Sequence, residues 1–138
     1  MRFIIGTDEA RPVVEHVVAH LRAKGHDVVV LPVDAWAKAS LTVARAVAEK
    51  RADQGIVCCW TGTGASIAAN KVRGIRAALC VDAATAAGAR TWNDANVLAL
   101  SLRLLSEPVA TEIVDAWLEA GYSGSEASSL EELARTEG

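Results

Sequence analysis

Apolar runs of strand length alternate with helix-period segments from one end of the chain to the other, and few folds accommodate that order. The runs are RFIIG (2–6), DVVVLPV (27–33), QGIVCCW (54–60), IRAALCV (75–81) and ANVLALSL (95–102). Val13, Val14, Val17, Val18 and Leu21 recur at helical spacing within 7–26. Thr7 or Asp8 is placed to cap that helix and Gly25 to end it. Further helices are predicted within 39–53, 64–74, 82–94 and 107–122, the last with Pro108 in its first turn. The third run is almost wholly apolar, as strands buried on both faces of a parallel sheet are. The alternation predicts an α/β fold: a doubly wound, Rossmann-like three-layer sandwich around a five-stranded parallel sheet. The 138 residues are expected to form a single domain, 1–138. The polar tail over 123–138, SGSEASSLEELARTEG, is expected to be extended or helical and to pack on a partner subunit.

Composition narrows the function classes. Apolar residues make up 51% and the net charge is −3, which argues against a nucleic-acid or anionic-membrane surface. No apolar run is long enough to cross a bilayer. The segment MRFIIGTDEARP turns polar too soon for a signal peptide and reads as a first strand. Three cysteines without an export signal predict reduced thiols and a cytoplasmic protein.

In a doubly wound sheet, ligands collect beyond the carboxyl ends of the strands. Two loops stand there: GTDEAR after the first strand and CWTGTGAS after the third. In the second, Gly62 and Gly64 permit close backbone approach. A helix starting near Ala65 or Ser66 offers unpaired amides and a positive dipole end, so the loop suits an anion. The same residues also make an ordinary strand-to-helix turn. The spacing fits neither a Walker loop nor a dinucleotide fingerprint.

Cys59 ends the third strand facing those amides, a setting that favours a thiolate; the other reading is a buried apolar cysteine. Alternation puts Cys58 on the opposite face, so at most one of the pair serves the loop. Cys80 lies in an apolar strand and reads as core. His16 and His20 are four apart without an HExxH pattern or a third ligand, so no metal site is expected. His26 reads as structural. Trp36 and Trp117 read as packing or surface residues, whereas Trp60 and Trp92 flank proposed ligand loops and are candidates to wall a pocket.

Three blocks, IIGTDEA, CWTGTGASIAANKVRGIRAALC and WNDANVLALSLR, carry a resemblance to the sugar-phosphate isomerases that include ribose-5-phosphate isomerase B and the galactose-6-phosphate isomerase subunits. It extends from about residue 2 to about residue 120. The resemblance implies an aldose–ketose isomerisation of a small sugar phosphate through an enediolate, with no metal or organic cofactor. It also implies a homodimer, or a tetramer made of two dimers, with active sites shared between subunits. Cys59 falls on the family's catalytic base. Thr61 and the amides of Gly62, Thr63, Gly64, Ala65 and Ser66 fall on the loop that holds the enediolate oxygens. Asp8 falls on the acid that contacts sugar hydroxyls, and Asn93 on an asparagine contributed by the neighbouring subunit.

Departures from the family pattern bear on the substrate. The usual Asp-His-Ala-Gly of the first loop is here Asp8, Glu9, Ala10, Arg11. The usual His-Asn-Asp-Ala-Asn begins with Trp92, in place of the histidine credited with ring opening. The usual Gly-Gly-Arg-His is replaced by SGSEASS, with Glu126 near the position of the phosphate-binding arginine. Trp92 has no basic nitrogen, so the expected substrate needs no ring opening: an open-chain tetrulose 4-phosphate, or else a decorated or unphosphorylated sugar. Alternatively, Trp92 packs at a dimer interface while Asp8, Glu9 or water opens a ring. Arg11 offers replacement charge for a phosphate, or is a solvated surface residue. A non-catalytic, partner-dependent subunit of a hetero-oligomeric isomerase is the competing reading, and Cys59 argues against it.

Overall fold

The computed structural model describes residues 1–138. The strands are β1 (Arg2–Thr7), β2 (Asp27–Val30), β3 (Gln54–Cys59), β4 (Ala77–Leu79) and β5 (Val97–Ser101). The helices are α1 (Pro12–Ala23), α2 (Trp36–Ala48), α3 (Thr63–Ala69), α4 (Ala83–Asn93), α5 (Glu107–Glu119) and α6 (Ala127–Thr136). All strands pair in parallel, in the order β2-β1-β3-β5-β4.

Side-chain alternation builds the three layers. Phe3, Ile5, Ile56, Cys58, Leu98 and Leu100 face one way and form a buried cluster with α1, α4 and α5. Ile4, Val57, Cys59, Val97 and Ala99 face the other way and pack against α2 and α3. β3 is buried along its whole length, as its apolar composition requires. Gln54, the one polar side chain at its start, accepts a hydrogen bond from the Trp117 indole N–H at 2.8 Å, which ties β3 to α5 inside the core.

The order of the strands places the site. From β1 the chain winds outward to β2, then returns to β3 on the other side of β1. The carboxyl ends of β1 and β3 therefore border the point where the winding reverses, where α/β sheets open a crevice. The β1–α1 and β3–α3 loops lie side by side there, with the Asp8 amide donating to the Cys58 carbonyl at 3.4 Å.

Several boundaries differ from expectation. Neither Thr7 nor Asp8 caps α1. Arg11 is the N-cap residue and makes no side-chain cap bond, because a guanidinium has no acceptor to offer the amides of the first turn, and Pro12 occupies the first helical position, where its missing N–H costs nothing. Thr7 is the last residue of β1, and its hydroxyl donates to the Glu9 carbonyl at 2.9 Å. β2 stops at Val30, α2 starts earlier than its periodicity indicates, at Trp36, and β4 contains only three residues. The tail forms α6, which has no buried residue. It is tethered by Arg73 to the Gly138 carbonyl and by the Gly74 amide to Glu137 at 2.8 Å.

Candidate active site

The crevice holds a cleft of about 300 Å³ lined by Asp8, Trp36, Cys59, Trp60, Thr61, Thr63 and Gly64. Two loops distant in sequence meet there, and Cys59 lines its base at the end of β3. Cys58 points into the α1/α5 layer instead. Burial pushes the Cys58 thiol up to about 12, with the neighbouring Cys59 and Asp8 adding to the effect. Burial, then Asp82, does the same to Cys80, also to about 12. Both are protonated, packed thiols.

Gly62 shapes the loop. It adopts φ +78°, in the left-handed region, and starts α3. A Cβ there would lie 2.5 Å from Leu79 Cδ1 and 3.0 Å from the Leu100 carbonyl carbon, so both conformation and space require glycine. Helix α3 begins at Thr63, two or three residues before the expected start. The Ser66 amide is spent on the Gly62 carbonyl at 3.0 Å. Ser66 therefore drops out of the expected set of free donors, and the unpartnered amides are those of Gly62, Thr63, Gly64 and Ala65. The Thr61 and Thr63 hydroxyls lie 2.7 Å apart across the loop.

Asp8 faces the same cleft. Its Oδ1 is buried without a partner. Burial, followed by the charge of Glu9, holds its carboxyl above the usual aspartate range. Arg11 is not simply solvated: its Nε donates to Glu9 at 2.6 Å, and its guanidinium lies 4.9 Å from the centre of the Trp60 ring. Glu9, Arg11 and Trp60 thus form one connected rim. Trp36, read from sequence as an ordinary packing or surface residue, is part of this cleft. No local pattern marks it; the β2–α2 turn carries it across the sheet to Gly64.

Trp92 and Asn93 are not in this cleft. They line a different groove, which also contains Glu126, Leu130 and Leu133. The fold explains the separation. Helix α4 runs back against the strands, so its last turn lies at the amino edge of the sheet, while Cys59 is at the carboxyl edge. The rest of the NDAN block fixes that turn. Asp94, at φ +45°, accepts from Arg90 at 3.1 Å and from Arg76 at 3.4 Å. Asn96 accepts from the Arg76 amide at 2.8 Å and donates to the Gly74 carbonyl at 3.0 Å. The two histidines of α1 are used in packing: His20 Nε2 lies 2.6 Å from Asp115 and His16 Nε2 lies 2.7 Å from Thr111, both on α5. His26 Nδ1 lies 2.9 Å from the N-terminal amine.

Residues 3–133 match a family model described as Ribose/Galactose Isomerase. The ribose-5-phosphate isomerase B of Escherichia coli is 40% identical over 131 residues, covering 89% of this chain and 87% of that protein. The D-erythrulose-4-phosphate isomerase of Pectobacterium atrosepticum is 46% identical over 83 residues, 60% of this chain and 55% of that protein, so the match spans about half of the relative's length. Among solved structures, the ribose-5-phosphate isomerase B of Clostridium thermocellum superposes with a TM-score of 0.95 at 37% identity, covering 99% of this chain and 97% of that one.

Proposed function

The chain belongs to the ribose/galactose isomerase family, and from that membership we propose that this sugar-phosphate isomerase interconverts an open-chain tetrulose 4-phosphate with its aldose, Cys59 carrying the proton. The observation that supports this best is the meeting, in one cleft, of Cys59, Thr61, Asp8 and the free amides of the β3–α3 loop.

The Cys59 thiolate removes a proton from C1 of the ketose, and the electron pair moves to the C2 carbonyl oxygen. The resulting enediolate is an oxyanion. Fixed amides at Thr63, Gly64 and Ala65, with the Thr61 hydroxyl, stabilise it as it forms, at no reorganisation cost. Cys59 returns the proton to C2 while the hydroxyl proton on O1 passes to O2, so the aldose carbonyl forms at C1, C2 carries a hydroxyl and the thiolate is regenerated. Asp8 Oδ1, which lacks a protein partner, accepts a hydroxyl of the sugar.

One residue supports a substrate without a ring. Trp92 stands where the family pattern has histidine, and indole accepts no proton at nitrogen. Glu126, in place of an arginine, shares the groove with Trp92, and a carboxylate there opposes a phosphate dianion. Arg11, held at the rim by Glu9 and Trp60, supplies the positive charge instead. The relative named for D-erythrulose 4-phosphate supports a four-carbon substrate. In this reading a second copy of the chain completes the cleft with its Trp92 and Asn93.

The test is kinetic. Wild-type protein should turn over D-erythrulose 4-phosphate with kcat/KM at least about tenfold above that for ribose 5-phosphate, about 1.4 kcal/mol of transition-state binding. Cys59→Ser should lower turnover at least about a hundredfold, the lower range of general-base contributions, whereas Cys58→Ser should cost far less. Equal rates for both cysteine variants would remove Cys59 as the base. Equal use of both sugars would remove the open-chain substrate.

A further inference from the structure

Trp36 stands over the backbone of Gly64. A Cβ on Gly64 would lie 2.9 and 3.0 Å from two carbons of the Trp36 ring, so the indole already rests against that Cα. The Gly64 amide beside it is one of the unpartnered donors of the loop. Trp36 is nonetheless 46% exposed, and the exposed part lines the cleft that contains Cys59. Its position at the start of α2 does not serve the helix. The N-cap is Ala35, which makes no side-chain cap bond, and the first turn has no acidic residue. A large flat ring is therefore held in the cleft beside Cys59, packed on the backbone of α3 and taking no part in capping the helix that carries it.

We propose that Trp36 is a specificity-determining residue that admits open-chain substrates and excludes furanose rings. The proposal rests on the isomerase reading above, and the chemistry follows from where a ring adds bulk. In an aldopentose 5-phosphate the ring closes through O4 onto C1, so the extra width lies beside the carbons that must reach Cys59 and the Gly64 amide. An open chain is slim there, whatever its length. The indole takes up the space beside the reacting carbons, against Gly64 and in the same cleft as Cys59. Trp36 and Trp92 then act in one direction: one keeps the ring out, and the other offers no base to open it.

Three sugars separate ring exclusion from a simple limit on length. D-Erythrulose 4-phosphate is open with four carbons, ribulose 5-phosphate is open with five because its O5 is esterified, and ribose 5-phosphate is a five-carbon ring. Binding is measured by calorimetry in the Cys59→Ser background, where no turnover interferes. With Trp36 present, both ketoses should bind at least tenfold tighter than ribose 5-phosphate. Trp36→Ala should tighten ribose 5-phosphate at least tenfold and change both ketoses less than threefold, and Trp36→Phe, which keeps a ring over Gly64, should retain most of the preference. Weak binding of both five-carbon sugars, relieved together by Trp36→Ala, would show a length limit and overturn ring exclusion. An unchanged or uniformly shifted set of affinities would overturn any role in specificity. Absence of turnover of all three sugars by the protein with Cys59 intact would instead defeat the isomerase reading, whatever the binding pattern.

Discussion

Asp8 concentrates the conflict between folding and function in one carboxyl group. One of its oxygens is buried without a partner, and burial, then Glu9, holds its pKa above the ordinary aspartate value. The fold thus disfavours the ionised form. Its contribution to stability is fully present below the unfolded aspartate pKa of about 3.9 and is lost as pH rises through the higher folded value. Asp8→Asn is therefore expected to raise Tm at pH 7, with the gain disappearing below about pH 4 in a thermal melt series, while activity falls. A variant no more stable than wild type at pH 7 would show that Asp8 is well solvated. Cys58 and Cys59 part over one peptide unit: strand alternation sends one thiol into the α1/α5 core and packs the other, also buried, against α2 and α3, where it lines the cleft.

At the scale of elements, the hydrogen bond from Trp117 to Gln54 is the polar tie between β3 and α5. Gln54→Ala leaves a buried indole N–H without an acceptor and should cost about 1–3 kcal/mol in urea unfolding, with little effect on KM because Gln54 is at the far end of β3 from Cys59. The strands and most helices were legible in the sequence because parallel strands buried on two faces must be apolar and amphipathic helices must repeat. What was not legible depends on tertiary approach. No local signal distinguishes the indole of Trp36, which rests on Gly64, from that of Trp117, which fills the core. Nor does local sequence reveal that the Ser66 amide is already used by Gly62. The start of α1 was misplaced because Thr7 and Asp8 are good cap residues in isolation, yet β1 pairing takes Thr7 and the cleft takes Asp8. That Cys59 and the glycine loop share one cleft is legible because both stand at the carboxyl end of the same buried strand.

For the molecule as a whole, the decisive fact is that Cys59 and Asn93 lie at opposite edges of one sheet. No hinge in a single chain brings them together, and a paired copy can. In the two-copy site proposed here, each site takes its thiol from one chain and its asparagine from the other. Light scattering should accordingly find at least a dimer at micromolar concentration. The geometry also has a genetic consequence. Cys59→Ser and Asn93→Ala should each be inactive alone, yet unfolding and refolding them together should restore activity. About half of the randomly formed pairs are mixed, and each mixed pair has one doubly damaged site and one undamaged site, so about a quarter of wild-type activity returns. Two null alleles of this gene, expressed in one cell, would complement each other, and a cell carrying one inactive allele could lose more than half of its whole sites only if that allele damaged both edges of the sheet.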